Sequence, residues 1–489
     1  MKRILSCLLL LTLVVSLFAC GKGNDPAVTT TGSGSEKADQ TTSTEATSTE
    51  PEKPKNPVFE GDTVTLLVWS DVENPEFEIT EQTGDLISDA IYERNKTVED
   101  MLNVKLSFVA SPGNFGNRQN FVAAAQNMIY SGTELDIMAA YSLTATTLVT
   151  NGLTYKLNEL EYLDLSNPWW PQRLVDEATI NGNIYFCSGD ISTNMLHKMH
   201  SIFFDKDMCN TYGISADELY KTALDGKWTL DKLMETTANV YQDLNNDGNK
   251  DRSDKFGLYI CDNYFDVFFY ASELRTIDRD TNGTPVLSET FGSEKAINLA
   301  SKVGNFFANS DGAFFITDFT EGRKMAQREA MMIITRCDIA YKVLRSVDGL
   351  DYGILPVPKY DEEQENYVSC LAFPCTLYTV SQSSKNPQIA GAVLEYLGQE
   401  GYNQVTPALF ETTMKLKYAS DDTTSTVYDI IRSSVSFDLG RMCASSFNDL
   451  TYTIFRKACS SNPDGYATSY RGNSVVMKKL LKQMLEKLS

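Results

Sequence analysis

Strand-like and helix-like segments alternate between residues 63 and 141, and this alternation constrains the fold more than any other feature. Apolar, β-branched runs and helix-capable stretches follow one another as strands at 63–69, 104–109 and 135–141 and helices at 86–102 and 118–130. A β-α-β-α-β order is typical of a parallel sheet with helices on its faces. Because ligands meet such sheets at the carboxyl ends of the strands, the loops after Trp69, Ala110 and Tyr141 are candidate binding loops.

The rest of the chain also has strand-like and helix-like segments, and the whole chain is longer than one ordinary domain. The chain has 489 residues, about three times the commonest domain size. Asn181 and Gly182 predict a hairpin turn. Further elements are predicted as strands at 201–204, 256–260, 330–335 and 352–356, helices at 230–240 and 386–400, and a helix-rich region from about 427. We therefore expect an α/β protein with two lobes.

Charge, histidine content and missing motifs exclude several functions. Asp and Glu outnumber Lys and Arg by 65 to 43, so the formal net charge is −22. This charge repels nucleic acids and anionic lipid headgroups, and neither is an expected partner. His197 and His200, the only histidines, directly precede a strand-like segment, which does not favour a metal site. The chain also lacks the G-x-S-x-G, P-loop and dinucleotide-binding glycine patterns, so we expect no enzyme.

The N-terminus has the pattern of an export signal. Lys2 and Arg3 precede an apolar run over 4–18, which is shorter than the about 20 residues of a membrane-spanning helix. The residues Leu-Phe-Ala-Cys that end at Cys20 resemble a bacterial lipobox, although Phe18 departs from its usual small residue. We expect a lipoprotein signal peptide over 1–19 and a lipid, such as palmitate, on Cys20. An ordinary signal peptide with an incidental cysteine is the alternative.

Residues 20–57 predict a tether. This segment contains almost no large apolar side chain and cannot bury enough surface to fold. A lipid-anchored, disordered linker would hold the folded body at the extracytoplasmic face of the cell membrane. The eight cysteines of that body are scattered and form no C-x-x-C pair, which argues against zinc-ribbon and thioredoxin-type sites. Their redox state stays open.

A 12-residue acidic loop follows the ligand spacing of an EF-hand. Gly248 stands at position 6, where the turn is sharp, and a helix is predicted before the loop but a strand after it, so the motif is half of an EF-hand. We expect a structural Ca²⁺ here; a solvated acidic turn is the alternative. The oxygen-bearing ligands at positions 1, 3, 5, 7, 9 and 12 are Asp243, Asn245, Asp247, Asn249, Asp251 and Asp254.

Several segments together resemble extracellular solute-binding proteins of family 1, the substrate-binding components of carbohydrate-type ABC importers. The likeness runs from about Val58 to the end and is carried by these segments: NPWWPQRLVDEATINGNIYFCSGD, FFDKDMCNTYGI, GKWTLDKLMETTANVYQDLNNDGNKDRSDKFGLY and DYGILPVPKYDEEQENYV. The resemblance implies a two-lobe, periplasmic-binding-protein-like fold (type II) with the ligand in the cleft. It places 58–200 plus 338–400 in lobe 1 and 201–337 plus 401–489 in lobe 2.

The resemblance also implies the function and the site. We expect a monomeric, lipid-anchored protein that binds a sugar or oligosaccharide and delivers it to an ABC permease. A cell-attached glycoside hydrolase and a surface binder without a transport role are the alternatives. Trp169 and Trp170 suit either a sugar platform or internal packing. The candidate ligand-binding residues are Trp69, Tyr141, Asp190, Arg336 and Asp338.

Overall fold

The computed structural model describes residues 57–417 and 422–488. The predicted signal peptide, the lipidation site Cys20 and the linker up to residue 56 lie outside the described residues. Within the described ranges, no helix combines the length and apolar character that a membrane crossing requires.

The first sheet has four strands and is the predicted β-α-β-α-β unit with one added strand. Its order is Thr376–Val380, Ile137–Tyr141, Asp62–Trp69 and Val104–Ser111. The last three run parallel, whereas Thr376–Val380 pairs antiparallel with Ile137–Tyr141. Leu66, Leu67 and Val68 are all buried, as expected for a strand covered on both faces.

Local chemistry sets the ends of the helices on this sheet. The helix Leu86–Leu102 matches its predicted bounds: the Asp85 side chain accepts a hydrogen bond from the Ser88 backbone N–H, and Asn103 ends the helix with a φ of +49°. The other helices near this sheet are Arg118–Ser131, Ser142–Thr150 and Pro387–Glu400. Along the chain, the helix Ser142–Thr150 is followed by the helix Gln172–Ala178, the predicted hairpin of Thr179–Ile180 and Asn183–Ile184, and the helix Asn194–His197.

The second sheet has five main strands and a mixed order. Its sequence of strands is Ala313–Ile316, Lys255–Cys261, Ala330–Arg336, His200–Asp205 and Tyr352–Leu355. The first three are parallel, and the last two pairings are antiparallel. Tyr352–Leu355 falls in the range 338–400 that was assigned to lobe 1, yet it pairs in this sheet. The lobe boundaries otherwise stay a prediction.

Helices and short strands complete the second part of the chain. The two short strands Ile277–Arg279 and Pro285–Leu287 form an antiparallel pair, and Ser369–Cys370 pairs with Val435–Ser436. The helices before the return to the first sheet are Lys206–Thr211, Ala216–Leu224, Leu230–Thr237, Asp266–Ala271, Glu294–Asn309, Glu321–Ala326 and Ile339–Lys342. The later region is helix-rich as predicted, with π-helical turns at Gly401–Val405 and Pro407–Lys417 and α-helices Asp422–Ser433, Leu439–Met442, Leu450–Ser461 and Tyr466–Lys487.

Candidate ligand-binding cleft

A cleft of about 610 Å³ lies where strand ends of the two sheets meet. Trp69 and Tyr141 reach it from the last residues of two first-sheet strands, and Arg336 reaches it from the last residue of a second-sheet strand. The carboxyl ends of these strands therefore face one cavity, as the sequence predicted. Its volume is in the range that holds small ligands, roughly 300 to 1,000 Å³.

Trp69 and Tyr141 form the floor of this cleft. Trp69 is 1% exposed, its indole N–H donates to the Thr376 hydroxyl at 2.9 Å, and its ring meets Tyr141 edge-on at 5.6 Å between centroids. Burial raises the pKa of Tyr141. Both rings are thus held by packing, and Trp69 offers little free surface for a ligand to stack on.

Two exposed aromatic rings stand at the rim. Phe115, in the loop after the strand Val104–Ser111, is 51% exposed, and Phe319, after the strand Ala313–Ile316, is 53% exposed. Phe319 has a φ of +53°, which is uncommon for a bulky residue. The two sheets therefore each contribute one half-exposed ring to the cleft. The Arg118 guanidinium stacks over the Phe115 ring at 4.1 Å, and the Phe319 ring lies 5.6 Å from that of Tyr264. Sequence reasoning missed both residues.

Buried polar atoms without a partner line the same cavity. His200 donates from Nδ1 to the Cys370 carbonyl at 2.8 Å, and its Nε2 has no hydrogen-bond partner within the described residues. Burial lowers the pKa of His200 to about 3, so Nε2 is a neutral acceptor. The buried Tyr264 hydroxyl likewise has no hydrogen-bond partner within the described residues, and the buried Arg336 Nε forms no hydrogen bond but lies 3.6 Å from Asp338. Because such atoms are costly to leave unpaired, they indicate a polar ligand. Tyr264 follows the strand Lys255–Cys261 closely, so the strand-end rule could have found it.

Arg336 belongs to a partly buried ion-pair network that joins the two sheets. Its Nη1 lies 3.1 Å from Oε1 of Glu73, and the Lys198 ammonium lies 2.7 Å from both Glu73 and Asp338. Burial alone would raise the pKa of Glu73, but the charges of Arg336 and Lys198 lower it to about 2. The same cations and Lys342 hold the pKa of the buried Asp338 well below its usual range.

Two of the five predicted ligand-binding residues lie away from the cleft wall. Asp338 is 1% exposed and lies behind Arg336, where it neutralises cations. Asp190 accepts hydrogen bonds from the Thr406 hydroxyl and from Arg432, and burial raises its pKa. Asp190 therefore ties the segment before the helix Asn194–His197 to the later helical region. Neither carboxylate lines the cavity.

Two arginines in the C-terminal region complete the cleft. Arg441 and Arg456 both contact the buried Asp266, with Nε to carboxylate distances of 3.1 and 2.9 Å. Their guanidinium groups stack on aromatic rings, Arg441 at 4.0 Å from the Phe373 centroid and Arg456 at 4.4 Å from that of Tyr452. No motif marks these arginines in the sequence.

The tryptophan pair outside the cleft is packing. Trp170 is 1% exposed and donates its indole N–H to Glu395 at 3.1 Å. Trp169 is partly buried and packs against Tyr402. Of the two interpretations of this pair, the structure supports the structural one.

The acidic loop closes a hairpin instead of following a helix. The helix Leu230–Thr237 ends early, and the strand Tyr241–Gln242 leads into the loop and pairs with Lys255–Cys261. Gly248 has the positive φ of +76° expected at the sharp turn. Carboxylates of the loop accept hydrogen bonds from backbone N–H groups of the same loop. For example, Asp243 accepts one from Gly248 at 2.9 Å.

The donors of the loop are of the kind that calcium prefers. They are hard oxygen atoms. Across residues 57–417 and 422–488, however, no group of three or more His, Cys, Asp or Glu side chains is arranged to hold a metal ion. Calcium binding therefore stays a prediction. His197 and His200 join no such group either.

The eight body cysteines are buried free thiols. Burial raises the pKa of Cys209 and Cys370, each to about 12, which makes these thiols poor nucleophiles.

Comparisons with known proteins place the fold. No protein-family model and no curated protein sequence matches this chain. The chain is similar to the GacH receptor of Streptomyces glaucescens, solved unliganded and with acarbose (TM-score 0.55, 14% identity, 87% of this chain and 99% of that one). It is also similar to the extracellular solute-binding protein from Staphylococcus aureus in complex with maltose (0.56, 10%, 86% and 99%). A third is the cyclic alpha-maltosyl-1,6-maltose binding protein from Arthrobacter globiformis (0.56, 13%, 88% and 99%).

These similarities cover nearly the whole of each neighbour. The predicted α/β, two-lobe, periplasmic-binding-protein-like fold is therefore confirmed. At these identities, the comparison establishes the fold and leaves the ligand to be argued from the cleft.

Trp69→Ala should destabilise the protein more than Phe319→Ala does. Loss of this buried indole should lower the free energy of unfolding by about 3–5 kcal/mol. Phe319→Ala, which removes a half-exposed ring, should change it by no more than about 0.5 kcal/mol. Urea unfolding of both variants measures the difference. Equal effects would contradict the assignment of Trp69 to the floor and Phe319 to the rim.

Proposed function

We propose that this protein is an extracytoplasmic substrate-binding protein that captures a saccharide in the cleft and delivers it to the permease of an ABC importer. The observation that carries the proposal is the composition of the cleft. Exposed Phe115 and Phe319 come from different sheets, and His200 and Tyr264 offer unpaired polar atoms between them. Sugars match such a site because their C–H faces stack on aromatic rings while their hydroxyl groups need donors and acceptors.

The fold neighbours support a saccharide as the ligand class. The receptor from Streptomyces glaucescens was solved with acarbose, and the Staphylococcus aureus protein was solved with maltose. A ligand that contacts both sheets would favour the closed arrangement of the lobes through its higher affinity for that state. Closure is then the signal that a permease can recognise.

The same cleft offers little for glycoside hydrolysis. Most glycosidases use two carboxyl groups that flank the bond. Of the described residues that line this cavity, Glu73 is the one carboxylate. Its pKa is lowered to about 2 by Arg336 and Lys198 against the effect of burial, so it is ionised and cannot act as a general acid near neutral pH. This favours binding without turnover.

The function is tested by calorimetry of the full chain against a saccharide panel. At least one saccharide should bind, and Phe319→Ala should weaken that binding by roughly two- to tenfold through the lost stacking face. Tyr130→Ala removes another exposed ring away from the cleft and should leave the affinity unchanged. Failure of every saccharide to bind, or conversion of a saccharide to product, would contradict the proposal.

We further propose that lipid on Cys20 holds the protein at the outer face of the membrane. Cys20→Ala should move the protein from the membrane fraction to the medium or leave it unprocessed. Cys7→Ala, a change within the same predicted signal, should leave it membrane-bound. Fractionation combined with labelling by a palmitate analogue provides the readout. Membrane retention of Cys20→Ala, with no label on the unmodified chain, would argue against the anchor.

The acidic loop is proposed to bind Ca²⁺ as a structural clip. Bound Ca²⁺ at a hundredfold excess over its Kd would stabilise the fold by about 2.7 kcal/mol. A chelator should therefore lower the melting temperature, and Asp247→Ala should abolish this sensitivity. Asp348→Ala, at an exposed position outside the loop, should preserve it. A melting temperature indifferent to both Ca²⁺ and chelator would refute the clip.

A further inference from the structure

The cleft is positively charged in a strongly acidic protein. The chain carries a formal charge of −22, yet the charged residues that line the cavity are Arg336, Arg441, Arg456 and Glu73. Their direct ion-pair partners add two cations and two carboxylates, namely Lys198, Lys342, Asp266 and Asp338. Five cationic groups thus face three carboxylates around one cavity.

The excess charge is concentrated at Arg441 and Arg456, because both share the single carboxylate of Asp266. Arg441 approaches its Oδ2 and Arg456 its Oδ1. Although burial would raise the pKa of Asp266, the two guanidinium groups lower it. One full negative charge therefore balances two full positive charges, and one positive charge remains.

Two further carboxylates lie near this group, but neither forms an ion pair with the two arginines. Asp262 accepts a hydrogen bond from the amide of Asn263, which is itself a partner of Arg456. Burial raises the pKa of Asp262, and the charge of Arg456 acts against this effect. Asp438 accepts the Thr276 backbone N–H and caps the short helix that carries Arg441. Asp266 is therefore the carboxylate that forms ion pairs with both arginines.

The two guanidinium groups are held in place before any ligand arrives. Their side chains are 10% and 13% exposed, and each stacks on an aromatic ring, Phe373 for Arg441 and Tyr452 for Arg456. Arg441 also donates from Nη1 to the Leu371 carbonyl at 2.7 Å, while its Nη2 forms no hydrogen bond within the described residues. A fixed, partly desolvated guanidinium with a free donor is well suited to a carboxylate, sulfate or phosphate oxygen.

A second observation points to a ligand at the same wall. His200, the first residue of the strand His200–Asp205, is 1% exposed and lines the cavity, and its Nε2 has no hydrogen-bond partner within the described residues. Because Nδ1 donates to the Cys370 carbonyl, Nε2 can only accept a hydrogen bond. A sugar hydroxyl can donate it, whereas an anionic group cannot. The wall therefore offers a hydroxyl-accepting atom beside an anion-binding pair.

We propose that the cleft selects acidic saccharides, whose anionic group is bound by Arg441 and Arg456 while the sugar rings lie between Phe115 and Phe319. This inference rests on the proposed function, since it names the ligand class of the same site. The anionic group is a uronate carboxylate, a sulfate ester or a phosphate ester, which share the charge and the acceptor oxygens that the arginines recognise. The net positive cleft would also attract such ligands in an otherwise repulsive, acidic protein.

The inference is tested with pairs of saccharides that differ only in charge. Galacturonate oligosaccharides and galactose oligosaccharides of the same linkage and length form one pair, and a hexose with its 6-sulfate and 6-phosphate forms another set. Calorimetry with the full chain should give about ten- to a hundredfold tighter binding of the acidic member, the effect of hydrogen bonds to a charged group. The acidic member that binds tightest identifies the kind of anionic group.

Arg456→Gln separates the anion contact from the rest of the site. This variant leaves Asp266 paired with Arg441, so the ratio of acidic-member to neutral-member affinity should fall by about tenfold. Arg323→Gln, at an exposed position outside the cleft, should change neither affinity. Salt provides a readout without any variant, because added NaCl should weaken binding of the acidic member more than that of the neutral one.

The outcomes distinguish this inference from the proposed function. Equal or tighter binding of the neutral member, or an acidic preference that survives both Arg456→Gln and high salt, would overturn the acidic-ligand inference and leave saccharide capture in place. Binding of neither member of any pair would overturn both.

Discussion

The cleft depends on one buried cation. The Lys198 side chain is fully buried, and its ammonium is 2.7 Å from Glu73, in the loop after a first-sheet strand, and 2.7 Å from Asp338, after a second-sheet strand. A buried charge is tolerated only when it is paired, so these contacts specify where the two strand ends lie relative to each other. Arg336 extends the network to the cavity wall. The position of the cleft follows from this electrostatic requirement together with the packing of Trp69 and Tyr141.

Local sequence predicted much of the first sheet because its signals are local. The helix Leu86–Leu102 has a capping aspartate before it and a left-handed Asn103 after it, and both features can be found in a short window. The strand-end rule led to Trp69, Tyr141 and Arg336, which do line the cavity. The rule identifies which residue ends a strand but not how exposed its side chain is. The burial of Trp69 and its hydrogen bond to Thr376 were therefore not predictable.

The missed residues depend on contacts between distant segments. Asp266 and Arg441 are 175 positions apart, and only the folded chain brings them together. Asp190 and Asp338 were predicted to bind the ligand, but each pairs with a cation outside the cavity, Arg432 and Lys198 respectively. The acidic loop shows a different limit: its spacing is visible in the sequence, yet the strand Tyr241–Gln242, and not the predicted helix, leads into it. This loop precedes the strand Lys255–Cys261, whose opposite end leads to the cleft, so a cation there would act on stability and not on the ligand.

Small-angle X-ray scattering of the full chain shows whether a saccharide is captured between the two sheets. We expect the radius of gyration to fall when the saccharide that binds in calorimetry is added, because a ligand held by both sheets stabilises the closed lobes. A saccharide that does not bind should leave the radius of gyration unchanged. An unchanged radius of gyration at saturating ligand would contradict capture between the lobes.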